Sequence, residues 1–99
     1  MIREIARLQI DPARAGEFLD AVARAAPLFR SAVGCRSMRL ERVIENPAVF
    51  LLLVEWETLD NHMVDFRNSP AFQEWRGLAG PFFTAPPVVE HAEAQAVHF

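Results

Sequence analysis

The chain has 99 residues, of which 52% are hydrophobic and 23% charged, with a net charge of −3. Residues 1–99 read as one domain, with enough apolar content to fold and not remain a disordered tail. An acidic balance with no basic run argues against nucleic-acid binding, and no stretch approaches the ~20 apolar residues that a membrane span needs.

Ile2 to Ile10 reads as a strand, with Ala6, Leu8 and Ile10 on one face and Arg3, Ile5, Arg7 and Gln9 on the other. Asp11-Pro12 marks a helix start, Asp11 as N-cap and Pro12 at the first helical position. Phe18, Leu19, Val22, Ala26 and Phe29 follow helical spacing and form an apolar stripe. Pro27 interrupts the ladder near the end of this helix, and Gly34 supplies the stop.

Cys35 to Ile44 is the second strand, with Met38 and Leu40 on one face. Cys35 is the only cysteine, so no intrachain disulfide forms, which fits a reducing cytoplasm. It reads as a small buried thiol, or as a reactive one if Arg36 lowers its pKa. Glu45-Asn46-Pro47 is a turn, and Ala48 to Trp56 the third strand. Val49, Leu51 and Leu53 point one way, and Phe50, Leu52, Val54 and Trp56 the other, so this strand is central and covered on both sides.

Thr58 caps a short helix carrying Leu59, Met63 and Phe66 on one face. Ser69-Pro70 starts another, with Phe72, Trp75 and Ala79 as its stripe, and Gly80-Pro81 ends it. Pro86-Pro87 leads into a last strand from Val88 to Ala94. The order β-α-β-β-α-β, with the second helix broken, is the ferredoxin-like α+β plan: a four-stranded antiparallel sheet in the order 4-1-3-2 with helices on one face. The uncovered face still presents apolar side chains of the third strand, and burying each is worth ~1.5–3 kcal/mol, so a second copy of the sheet is the expected cover.

His62 borders the apolar stripe of the broken helix, where a histidine either takes a proton from a bound molecule or bonds a nearby carbonyl or carboxylate. His91 shares a strand face with Glu93, so it is a second base, a substrate contact, or a surface or interface residue. Phe66, Phe72, Trp75, Phe82 and Phe83 form an aromatic cluster that serves as core, pocket wall or both. Trp56 either turns its indole N–H toward a pocket or caps the core. Arg7 and Arg39 pair with Glu41 or Glu55 across the sheet, or face the cavity and favour an anionic substrate. The three histidines lack metal-ligand spacing, so no metal is expected.

The stretch Gly34 to Glu93 resembles the antibiotic biosynthesis monooxygenase family of dimeric α/β barrels. The residues that carry the resemblance are Gly34-Cys35, Glu55-Trp56-Glu57, Leu59 to His62, Phe66-Arg67-Asn68-Ser69-Pro70-Ala71-Phe72, Trp75 and Pro86-Pro87-Val88-Val89-Glu90-His91. The resemblance implies a homodimer packed sheet to sheet, each protomer enclosing an apolar pocket. It also implies a monooxygenase that oxidises a small aromatic quinol, anthrone or polyketide-like molecule with O2 and no flavin, metal or other cofactor. The deprotonated substrate then supplies the electron to oxygen, and the protein holds the ring, takes the proton and excludes water. On this reading His62 is the base, and Trp56, Phe66, Phe72, Trp75 and His91 bind the substrate. A non-catalytic ligand-binding or stress-associated dimer of the same fold is the alternative. The sequence departs from the family's pattern at two places: Phe66 stands where many members carry His, and Val54 where many carry Glu. The places of the haem-degrading branch's Asn and of its flanking Trp and His hold Ala6, Phe66 and Arg76, and the missing proximal ligand argues against haem binding in that mode.

Overall fold

The computed structural model describes residues 1–99. Its strands are β1 (Ile2–Gln9), β2 (Cys35–Arg42), β3 (Val49–Trp56) and β4 (Val88–Glu93), and its main helices α1 (Ala15–Arg30) and α2 (Pro70–Ala79). The strands form one antiparallel sheet in the order β2-β3-β1-β4. This is the ferredoxin-like arrangement expected from the order of elements, with the doubly apolar β3 inside the sheet.

Alternation decides the faces. Glu4, Ala6, Leu8 and Ile10 of the first strand segment and Phe50, Leu52, Val54 and Trp56 of β3 are buried, and the helices cover that side. The opposite side carries Ile5, Leu51 and Leu53, only half-buried, among Arg3, Arg7, Arg39, Glu41 and Glu90. β2 ends at Arg42, two residues early. The Asn46 side chain accepts from the Ala48 N–H at 3.3 Å, and Arg42 Nε donates to the Pro47 carbonyl at 2.9 Å, so the turn begins sooner.

Asp11 caps as expected, accepting from the Ala13 N–H at 2.9 Å, but the first turn, Pro12–Arg14, is 3₁₀. The buried stripe of α1 is Phe18, Ala21, Val22, Ala25 and Phe29. Leu19 and Ala26 were expected on it and are not: at about 100° per residue both lie to one side of the line through Phe18 and Phe29. Leu19 is 49% exposed. Pro27 lies on the solvent side, and the helix continues past it to Arg30.

Gly34 closes the helix with a φ of 77°, and a side chain there would also strike Asn61. The segment after β3 departs most from expectation. Asn61–Phe66 is a π-helical turn, with the Arg67 N–H donating to the His62 carbonyl five residues back at 3.2 Å. Thr58 and Asn61 cap it reciprocally, each side-chain oxygen accepting from the other's backbone N–H at 3.1 Å. The wider turn presents His62 and Phe66 to the core and leaves Leu59 and Met63 46% and 38% exposed, in place of the Leu59, Met63, Phe66 face. Ser69 then caps α2 as expected, accepting from the Phe72 N–H at 3.3 Å.

The stripe geometry gives a direct test by urea denaturation. Phe29→Ala should cost about 3–5 kcal/mol, whereas Leu19→Ala should stay within about 0.5 kcal/mol.

Candidate functional site

Between the sheet and α2 lies a cavity of about 820 Å³. Its walls include Phe29, Leu52, Phe66, Phe72, Trp75 and Phe83, so most of the aromatic cluster serves as both core and pocket lining. Arg67 and Arg76 border it, their guanidinium carbons each 5.9 Å from the Phe72 ring centre. Two polar groups are buried in the molecule, Glu4 and His62, and both line this cavity.

The sheet register builds the site. Glu4 pairs across the sheet with Val54 on one side and with His91 on the other, and Ile2 with Trp56. Side chains two apart share a face, so Glu4 stands beside both Trp56 and His91. The Trp56 Nε1–H donates to Glu4 Oε1 at 3.0 Å. The π turn brings His62 over these residues, stacked on the Trp56 ring at 5.2 Å between centroids and 16° between planes. Its Nε2 lies 3.3 Å from Glu4 Oε1, and its Nδ1 lies 2.8 Å from His91 Nε2.

Burial governs the charges. Desolvation raises the Glu4 pKa from 4.5 to about 7, against the lowering effects of the Trp56 hydrogen bond and the positive Arg67. Desolvation lowers His62 from 6.5 to about 4, with further lowering from His91 and Arg67. His91 shifts down for the same reasons, burial first and Arg67 second. Both histidines are therefore neutral at neutral pH, and the carboxyl is the group poised to change charge there. With both neutral, one of them donates in the 2.8 Å bond: His91 Nε2–H donating to His62 Nδ1 leaves the His62 Nε2–H against Glu4 Oε1, in contact at 3.3 Å but without a hydrogen bond's alignment.

Of the residues singled out in the sequence, His62, Phe66, Phe72 and Trp75 border the cavity together. Trp56 and His91 stand behind Glu4 and His62 and do not line it. His91 turns to His62 and not to Glu93, which is exposed; His98 lies in the exposed tail. Arg39 pairs with Glu41 at 3.4 Å on the open sheet face, and the cavity's cations are Arg67 and Arg76, not Arg7 or Arg39. Cys35 does not become more acidic. Burial and the nearby Glu4 raise its pKa, while Arg36 pairs with Glu57. Glu4 is the residue that sequence reasoning missed. The signal was present: a carboxylate two residues before Ala6 falls on the inward face of β1.

The Glu4 shift has a stability consequence. Between pH of about 4.5 and 7 the folded chain holds a proton on Glu4 that the unfolded chain has released, so this residue lowers stability as pH rises. His62 acts in the opposite sense, favouring folding as pH rises from about 4 to 6.5. Glu4→Gln, which keeps an acceptor for Trp56, should stabilise the protein at pH 8 by at most about 3 kcal/mol and barely change it near pH 4.5. Denaturation midpoints at the two pH values measure this.

The sequence model of the antibiotic biosynthesis monooxygenases matches residues 1–78. A crystal structure of a Bordetella bronchiseptica protein assigned to that family superposes with a TM-score of 0.93 at 49% identity, covering 96% of this chain and 97% of that one. The uncharacterised protein YczJ of Bacillus subtilis is 43% identical over 91 residues, 92% of this chain and 96% of its own length. SnoaB, a cofactor-independent oxygenase from Streptomyces nogalater, shares the fold alone: its TM-score is 0.79 at 18% identity, covering 98% of this chain and 95% of that one. The chain belongs to the antibiotic biosynthesis monooxygenase family.

Proposed function

We propose that this protein is a cofactor-independent monooxygenase that oxidises a small aromatic quinol, anthrone or polyketide-like molecule with O2. The observation that carries the reading is the composition of the cavity: an aromatic-walled space of about 820 Å³ whose buried polar groups are a carboxyl and a neutral imidazole in contact. Aromatic walls hold a planar ring. The carboxyl–imidazole pair removes a phenolic or enolic proton, and the resulting anion is electron-rich enough to react with O2 directly. For an anthrone, a ring methylene and one O2 become a ring carbonyl and one water. Arg67 and Arg76 at the border favour the anionic form. Family membership supports the reaction class, and SnoaB, named as a cofactor-independent oxygenase, gives a precedent for this chemistry on the same fold.

The same reading includes a homodimer, and a cytoplasmic setting in which Cys35 stays reduced. Ile5, Leu51 and Leu53 make an apolar centre on the open sheet face, with arginines and glutamates around it that a two-fold axis can pair with each other. Leu51→Glu with Leu53→Glu should therefore convert a dimer into a monomer in sedimentation equilibrium. A wild-type monomer at micromolar concentration would remove the dimer from the proposal.

Oxygen consumption with a panel of quinols and anthrones tests the reaction. Uptake of one O2 per substrate, undiminished by a chelator, is the expected result, and Phe72→Ala should raise KM about tenfold through the loss of one aromatic contact. Binding of the panel without uptake would favour the alternative, a ligand-binding protein of the same fold.

A further inference from the structure

We infer that Glu4, and not His62, is the group that accepts the substrate proton, with His62, itself held by His91, positioned against its carboxyl. The inference rests on the oxygenase reading above and assigns the proton step within it.

The geometry separates the two candidates. His62 Nδ1 is hydrogen-bonded to His91 at 2.8 Å, and its Nε2 lies against Glu4 Oε1 at 3.3 Å. Each ring nitrogen of His62 thus has a protein atom against it. Glu4 differs. Its two contacts, from Trp56 and from His62, both fall on Oε1. No buried side-chain oxygen lacks a partner, so Oε2, which has none in the protein, is the oxygen open to the cavity that Glu4 lines. A substrate hydroxyl placed there gives its proton to Oε2: the substrate O–H bond breaks, a carboxyl O–H forms, and the electron pair stays on the substrate oxygen. Oε1 keeps its Trp56 donor throughout, so the step breaks no hydrogen bond of the carboxyl.

The surroundings suit that role. Facing Glu4 are His91 from β4, His62 and Arg67 from the π turn and its end, Trp56 from β3 and Cys35 from β2; Arg76 of α2 borders the cavity, and α1 contributes the apolar Phe29. The nearby cation, Arg67, is therefore placed to balance the substrate anion while Glu4 carries the proton. The carboxylate form is the active one, so kcat/KM should rise with pH through about 7, the value to which burial lifts Glu4. His62 is a positioning residue. Its N–H favours the carboxylate form of Glu4, so removing it moves the rise to higher pH.

Two experiments test the assignment. In the first, oxygen uptake is followed against pH. Glu4→Gln should lower kcat/KM by about 100-fold or more and abolish the rise. His62→Phe, which keeps a ring against Trp56, should keep activity but shift the rise to higher pH, and His62→Gln, which restores a donor, should shift it back. Glu4→Asp, with a shorter reach, serves as a second variant and should also be slow. Uptake by Glu4→Gln close to wild type, or complete loss in His62→Phe at every pH, would overturn the inference and leave the oxygenase reading standing. The second experiment needs no turnover. Without oxygen, 1,2-dihydroxyanthraquinone is bound as a coloured phenol. The wild type should show the phenolate absorption band together with a new protonated-carboxyl band in the infrared difference spectrum, and Glu4→Gln should show neither. If these bands appear while no oxygen is consumed with any substrate, the oxygenase reading fails and the Glu4 assignment survives. If the dye binds with no carboxyl band, the assignment is overturned.

Discussion

One contact organises this molecule: a carboxyl group only 4% exposed, with one oxygen fixed by the Trp56 indole at 3.0 Å and the His62 imidazole at 3.3 Å. Burying an ionisable group is costly unless its polar atoms are satisfied. Here the cost is limited by the Trp56 donor and is expressed as a proton held near neutral pH. Each partner depends on a different part of the fold. Glu4 needs the inward register of β1, Trp56 needs the far end of β3, and His62 needs the π turn.

That dependence explains the irregular segment. An ordinary helical turn after β3 would place Leu59, Met63 and Phe66 on one face, as their spacing suggests. The π turn instead carries His62 inward, stacked on Trp56, with Phe66 below it against Phe29 and Phe72. Local irregularities of this kind are frequent at functional sites. The reciprocal Thr58–Asn61 cap and the left-handed Gly34 beneath Asn61 hold the turn where it is.

The two faces of the sheet divide the work. The inner face, with the helices, forms the core and the walls of the cavity. The outer face carries Ile5, Leu51 and Leu53 between charged residues, and the half-buried state of these three in a single chain is what a second sheet would complete. The same β3 therefore supplies the core through Leu52, Val54 and Trp56 and the outer apolar patch through Leu51 and Leu53.

The sequence by itself determined much of the frame. Alternating apolar positions located β1 and β3, Asp11-Pro12 and Ser69-Pro70 marked helix starts, and the apolar run of β3 placed it inside the sheet, because these signals are local and a strand or cap reads only its near neighbours. It also made His62 and the aromatic residues candidates for a site. It did not reveal Glu4, although the parity of β1 pointed Glu4 inward, because a carboxylate in a strand ordinarily faces water. Nor did it reveal that His91 would turn from Glu93 to His62. Those facts depend on which strands pair and in what register, and on a helical turn whose width no single spacing specifies. Only the tertiary structure brought residues 4, 56, 62 and 91 together, and burial, a property of the whole fold, set which of them holds a proton near neutral pH.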